Sequence, residues 1–307
     1  MKMYLSRRSL LIRSAAVFAG AHAAGLTRLW GGGAKSKPGV QMYMVTPEYR
    51  KDPAGTLAQL AAIGYGYVEA FSITNISAFR KMLGNAGLGS PSEHFFFGSE
   101  DTEKLLDDAS ALGVNYAVST FLPPERWKMS DFAATLERLN HLTADDFRRV
   151  AAFANQIGES AKKRGLEYAY HNHSFEFCRF EHGETGYEIL LKETDPQLVK
   201  LEVDAGWMAA GGTDPVALIT ANAERVRLLH FKDFSAVTPA LNEIGGAAGA
   251  HIVDLGRGVV PLKAAYEAAR RAGAEYFIVD HDPPFHGQTA LEAAKTDYDY
   301  VAGLMVS

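Results

Sequence analysis

Tyr168-Ala169-Tyr170-His171-Asn172-His173-Ser174-Phe175-Glu176-Phe177 is the stretch on which the reading of this chain turns. Its first half alternates as a buried strand does, and polar, titratable residues crowd its end. Alternation puts Tyr168, Tyr170 and Asn172 on one face and Ala169, His171 and His173 on the other, so both histidines are expected to point the same way from one strand end. Three later apolar stretches close in the same manner. They are Val199 to Trp207 with Asp204, Val226 to Asp233 with His230, and Tyr276 to Asp282 with Asp280, His281 and Asp282.

Toward the N-terminus the same rhythm continues. Strands are expected over Val40 to Thr46, Tyr65 to Phe71 carrying Glu69, Pro91 to Phe97 carrying His94, and Asn115 to Phe121. Helical spacing falls between them, at Asp52 to Ile63, Ile76 to Leu83, Glu100 to Leu112 and Asp145 to Arg164, the last with Thr143 as N-cap and Gly165 as stop. Helices then follow at Tyr187 to Leu191, Pro215 to Ala223, Leu262 to Ala272 and Thr289 to Leu304. A long connection, Leu122 to Ala144 with Trp127, is expected to lie over one end of the fold.

Strict alternation of strand and helix means parallel strands joined by right-handed crossovers. Eight such units in roughly 265 residues fit an α/β, (β/α)8 barrel, with a doubly wound sheet as the competing arrangement. No Gly-x-Gly-x-x-Gly turn follows the first strand, which weighs against dinucleotide binding. In a barrel the C-terminal strand ends converge, so residues far apart in sequence meet.

Residues 1–36 differ in character from the rest. Ser6-Arg7-Arg8-Ser9-Leu10-Leu11 precedes a short apolar run from Ala15 to Ala24 with the small-x-small triplet Ala21-His22-Ala23, which reads as a signal peptide and resembles a twin-arginine export signal. Cleavage near Ala23 would leave a Gly31-Gly32-Gly33 linker to a single domain over 37–307, periplasmic or secreted, with the twin-arginine export machinery as a partner. The apolar run is too short to span a bilayer, so no stable membrane anchor is expected. Removing Lys2, Arg7, Arg8 and Arg13 leaves 27 basic against 36 acidic residues, a net charge of −9 in place of −5, which excludes a nucleic-acid footprint. The only cysteine, Cys178, rules out an intrachain disulfide.

His171, Asp204, His230 and Asp280 are spaced 33, 26 and 50 residues apart. The first two intervals match one β-α-β unit of roughly thirty residues, so these side chains come from adjacent strands. Imidazole and carboxylate donors together suit Mn²⁺, Co²⁺ or Zn²⁺, with Mg²⁺ a less natural fit beside two histidines. Asp282 shares a face with Asp280 and is an alternative ligand. Glu69, His94, His173, Trp207, Lys232 and Asp233 are expected to contact substrate, and Glu176 to act as an auxiliary acid or base.

Gly39-Val40-Gln41-Met42-Tyr43, Ile63-Gly64-Tyr65-Gly66-Tyr67-Val68-Glu69, His171 to Phe177, Asp204-Ala205-Gly206-Trp207, His230-Phe231-Lys232-Asp233, Gly256-Arg257-Gly258-Val259-Val260 and Val279-Asp280-His281-Asp282 together resemble the sugar phosphate isomerase/epimerase family, with its xylose-isomerase-like TIM barrel. The resemblance runs from Val40 to the C-terminus. It implies one divalent ion on His171, Asp204, His230 and Asp280, gripping adjacent oxygens of a sugar. The family's epimerases generally carry glutamates where this chain has His171 and Asp280, and those glutamates double as the proton-transfer pair. His171 and Asp280 are therefore expected to be catalytic as well, and the exchange weighs against simple carbonyl epimerisation.

The expected chemistry is isomerisation or epimerisation through an enediolate. A lyase or hydrolase acting on an oxidised (keto) glycoside by β-elimination shares that intermediate, and a non-catalytic sugar-binding barrel is the reading from another class. The substrate is expected to be a free sugar, keto-sugar or glycoside. Neither a Gly-rich phosphate loop nor an arginine cluster is present to hold a phosphate.

Overall fold

The computed structural model describes residues 37–125, 127, 131–244 and 251–306; the proposed export signal over 1–36 lies outside the described residues. Seven parallel strands follow one another: β1 (Gly39–Gln41), β2 (Tyr67–Phe71), β3 (Ser92–Phe95), β4 (Tyr116–Ser119), β5 (Glu167–His171), β6 (Val199–Asp204) and β7 (Val226–Phe231). After them, β8 (Asp233–Phe234) and β9 (Ile252–Val253) form a separate antiparallel ribbon. The next strand, β10 (Tyr276–Val279), pairs with β7 on one side and β1 on the other, closing an eight-stranded parallel barrel.

Crossover helices pack outside: α2 (Pro53–Ile63), after the short α1 (Thr46–Lys51), then α3 (Ile76–Ala86) and α4 (Thr102–Leu112). Beyond α5 (Phe132–Asn140) come α6 (Ala144–Lys163), α7 (Gly186–Glu193), the six-residue α8 (Ala205–Ala210) and α9 (Pro215–Ala221), and the chain ends with α10 (Leu262–Ala272) and α11 (Ala290–Val306). Local chemistry explains the boundaries. Thr143 and Asp146 make a capping box at the start of α6, and Gly273 ends α10 at φ 87°, a left-handed conformation that glycine adopts without a Cβ clash.

Five expected elements end differently. The first strand stops at Gln41 and gives way to a single 3-10 turn over Met42–Val45, in which Tyr43 N–H donates to the Gln41 side chain. The sixth stops at Asp204, because its carboxylate accepts the Trp207 N–H at 2.7 Å and thereby caps α8. Trp207 therefore sits on a helix and not at a strand end. Strands β7 and β10 stop at Phe231 and Val279, short of Asp233 and Asp282. The connection from Leu122 to Ala144 contains α5, started by the Asp131 cap.

Inside the barrel the period of two builds the site. At the lower end Tyr67, Tyr116, Val118, Ala169, Leu228, Tyr276 and Ile278 form a closed apolar plug, with Tyr67 edge-on to Tyr276 at 5.3 Å. One inward-facing step along each strand, Tyr67 gives way to Glu69, Ala169 to His171 and Leu228 to His230, and on the neighbouring β3 Ser92 gives way to His94. The barrel is thus hydrocarbon below and titratable above, with the plug denying water a path through the centre.

Gly206 lets α8 lie against β7. A Cβ at this position would fall 2.4 Å from the Lys232 carbonyl oxygen, which is backbone and cannot swing aside. Gly206→Ala is expected to cost about 1–3 kcal/mol and lower Tm by roughly 3–8 °C in a thermal melt. An unchanged Tm would mean that α8 is free to slide.

Candidate active site

His171 ends β5, Asp204 ends β6, His230 is the penultimate residue of β7 and Asp280 follows β10. Register brings them level, with Asp204 opposite His230 and the Asp280 N–H bonded to the Phe231 carbonyl. One ligand atom from each of His171, Asp204, His230 and Asp280 lies within 4.8 Å of all the others, and all four residues are buried. The structure therefore brings together the four residues that the spacing singled out.

Beneath them lies a second group. Glu202, one inward step before Asp204, receives His94 Nε2 at 2.7 Å and His171 Nδ1 at 2.9 Å on the same oxygen. Glu69 accepts His230 Nε2 at 2.7 Å and the Gln41 amide at 2.9 Å, and lies 3.1 Å from His94 Nε2. Each outer histidine is thus tied through one ring nitrogen to an inner carboxylate. That leaves His171 Nε2 unspent by Glu202, and His230 Nδ1 facing Asp280 at 3.0 Å. This is the arrangement in which a metal-ligating imidazole is fixed by a carboxylate behind it.

Electrostatics follow from this packing. Burial works to lower His94, but Glu69 and Glu202 outweigh it and hold the imidazole at about 10. Burial would raise Glu202, yet His230 and His94 keep it well below the usual carboxylate range. His171 falls to about 4, chiefly through burial. Of the two outer carboxylates, Asp204 is pushed up to about 7 by burial, while Lys232 and His230 overcome burial at Asp280 and keep it ionised.

A divalent ion fits this donor set. Asp204 spends one oxygen on the Trp207 N–H, and its Oδ2 is buried without a hydrogen-bond partner. Buried carboxylate oxygens without partners are costly unless a cation meets them. Two imidazoles and two carboxylates suit a borderline transition ion better than Ca²⁺.

The site opens into a cavity of about 320 Å³, which His94, His171, His173, Trp207, Asp280 and Asp282 help to line. His173 lies 4.8 Å from His171, ring to ring, and its Nδ1 is buried with no partner. Lys232 is fully buried beneath Trp207; it bonds Asp282 at 2.6 Å and lies 3.2 Å from Asp280. Between the two aspartates, the geometry places Asp280 in the ligand group, whereas Asp282 is partly exposed and held by Lys232 and the Tyr43 hydroxyl.

Four expectations are corrected, and Glu69 and Lys232 come first: both are fully buried and neither lines the cavity. Asp233 is not turned toward substrate: its carboxylate accepts N–H groups from Phe234, Gly256, Gly258 and Val260, pinning the loop after β9. Glu176 does not line the cavity either. It accepts the Tyr170 hydroxyl at 3.1 Å and the His173 N–H at 3.0 Å, bracing the turn after β5.

Burial pushes Glu176 up to about 8, so the folded protein keeps this proton at neutral pH. An unfolded chain releases it near pH 4.5. Stability from this group is therefore complete below pH 4.5, declines as pH rises toward 8, and is flat beyond. Glu176→Gln, which cannot titrate, is expected to gain roughly 5 °C in Tm relative to the parent between pH 5 and pH 9. A Tm difference that does not change with pH would contradict the assignment.

Sequence reasoning missed Glu202 and Tyr43. The signal for Glu202 was present: it is an acid inside the apolar run Val199 to Asp204, on the face it shares with Asp204. Tyr43 gave none, because its approach to Asp282 spans 239 residues.

Residues 57–299 match the family model described as xylose isomerase-like TIM barrel. An inosose dehydratase of Lacticaseibacillus casei is 28% identical over 170 residues, 50% of this chain and 55% of that protein, so the chain spans about half the length of the curated relatives it matches. A sugar phosphate isomerase/epimerase of Parabacteroides distasonis ATCC 8503 superposes with a TM-score of 0.69 at 24% identity, over 87% of this chain and 95% of its own. An L-ribulose 3-epimerase does so with a TM-score of 0.63 at 14% identity, over 88% and 94%. At these identities the two solved structures speak for the fold. Since the matched stretch takes in β2 through β10 and most of α11, the chain belongs to the xylose isomerase-like TIM barrel family.

Proposed function

We propose that this protein is a metal-assisted lyase that removes the proton beside the carbonyl of a keto-sugar or keto-glycoside and expels the β-oxygen substituent. The observation that carries this reading is the convergence of His171, Asp204, His230 and Asp280 from four strands, with Asp204 Oδ2 buried and unpartnered. Those four residues would hold the ion, with Mn²⁺, Co²⁺ or Zn²⁺ best suited to the donors. When bound, such an ion polarises a carbonyl and its neighbouring hydroxyl and so acidifies the adjacent C–H.

The chain's own residues supply the rest. His173 borders the cavity with a free buried nitrogen, and burial, then His171 and Lys232, keep its ring neutral, so its lone pair can take the proton. The C–H pair becomes a C=C bond, and the C–O bond to the leaving group breaks with its pair on oxygen. Tyr43 lines the same cavity; burial, then Asp280 and Asp282, raise it well above its usual range, so it keeps its proton, which its hydroxyl donates to Asp282, and the departing oxygen takes its proton from solvent. Lys232 offers a fixed positive charge beside Asp280 and Asp282.

Elimination is preferred to epimerisation on one observation. Epimerisation needs a second proton-transfer group, and Asp280, the residue expected in that role, has its carboxylate bound by His230 and Lys232. The relative named inosose dehydratase agrees with this preference. Isomerisation or epimerisation remains the second reading, because it shares the first proton transfer. Incubation of the Mn²⁺-loaded protein with a keto-glycoside in D₂O tests both. Release of the alcohol is expected. Deuterium in recovered substrate without release would favour epimerisation, and neither signal would reject both. The Ser6-Arg7-Arg8 motif supports export, which a reporter fusion to residues 1–36 would test.

A further inference from the structure

Much of the cavity lining is aromatic. Rings follow one another around the mouth: Tyr43 to Phe71 at 5.9 Å between centroids, Phe71 to Phe96 at 5.8 Å, Phe96 to Phe121 at 6.2 Å and Phe121 to Phe132 at 6.2 Å. Leu136 completes the wall, and all six residues line the same cavity as His171, His173 and Asp280. Apart from the Tyr43 and Thr120 hydroxyls, side chains on this side are carbon only. Phe132 is 56% exposed at the rim, one of three large hydrophobic residues so exposed among the described residues.

A free sugar carries hydroxyls all round, and a site shaped for one would face each with a polar partner, since an unpaired hydroxyl loses its hydration. Here His171, His173, Asp280 and Asp282 carry most of the polar atoms, and the aromatic side adds only the Tyr43 and Thr120 hydroxyls. The arc also begins at Tyr43, whose hydroxyl is bonded to Asp282. We infer that Phe71, Phe96, Phe121, Phe132 and Leu136 form a subsite for an apolar, planar aglycone, so that the substrate is an aryl glycoside carrying a ketone on its sugar ring. This rests on the lyase reading of the same site. It makes the products a phenol and an unsaturated keto-sugar, and requires that a preceding oxidation of a ring hydroxyl supply the ketone.

Binding of 4-nitrophenyl and methyl glucosides, each as both anomers, to the Mn²⁺-loaded full-length protein tests the subsite by calorimetry without turnover. A planar ring buried against several aromatic side chains is expected to tighten binding about tenfold or more relative to methyl. Phe96→Ala and Phe132→Ala should each reduce that ratio about threefold, with Mn²⁺ affinity unchanged, because neither residue is in the cluster of His171, Asp204, His230 and Asp280. Equal affinity for the two glucosides, a preference that survives both substitutions, or no binding of either glucoside while Mn²⁺ still binds would overturn the inference. Loss of Mn²⁺ binding itself would instead strike at the lyase reading.

Discussion

Glu202→Gln is expected to weaken Mn²⁺ binding ten- to a hundredfold although Glu202 is not among the four residues proposed to hold the ion. Its Oε2 accepts from His171 Nδ1 and His94 Nε2, so it decides which nitrogen of His171 carries the proton and which is free. An amide can offer its own N–H toward those donors, and the ring would then be free to rotate or change tautomer. Losses of this size are typical when the group behind a metal-bound imidazole is removed. The substitution also deletes one of two negative charges facing His94, which Glu69 and Glu202 hold protonated. Calorimetric titration with Mn²⁺, paired with a thermal melt, separates the two effects. A lower Tm with unaltered affinity would make Glu202 a structural counter-charge only.

His173→Gln is expected to lower kcat by 10² to 10⁴, the range for loss of a general base, while Mn²⁺ affinity changes by no more than a few fold. The split follows from position. His173 sits beyond the end of β5, packed against Phe121 at 4.7 Å and Trp207 at 5.8 Å, and its Nδ1 makes no hydrogen bond among the described residues. Glutamine keeps a polar side chain of comparable reach but accepts no proton near neutrality. Exchange of substrate hydrogen with solvent deuterium should fall in parallel with turnover. Exchange at the parental rate would move the base elsewhere, with His171 the next group in contact.

The barrel was legible in the sequence because its cause is periodic. A parallel strand buried on both faces needs an apolar run, each crossover needs a helix, and both repeat eight times. The convergence of His171, Asp204, His230 and Asp280 was legible for a related reason: strand ends meet at one mouth, so a polar residue closing an apolar run has few places to go. Less was readable where the determinants are local and aperiodic. Asp204 ends its strand by capping α8, which took Trp207 out of the expected strand. Asp233 follows a strand as the ligands do, yet three loop amides and that of Phe234 claim its carboxylate. The aromatic arc draws on β2, α5 and the segments that follow β1, β3 and β4, and no spacing in one dimension announces it.

Titration of the metal-stripped protein with Mn²⁺, beside Asp204→Ala and His230→Ala, bears most directly on the cluster at the barrel mouth. One ion per chain is the predicted result, with binding abolished in both variants and their folds retained by circular dichroism. No binding by the parent, or undiminished binding by either variant, would contradict the account.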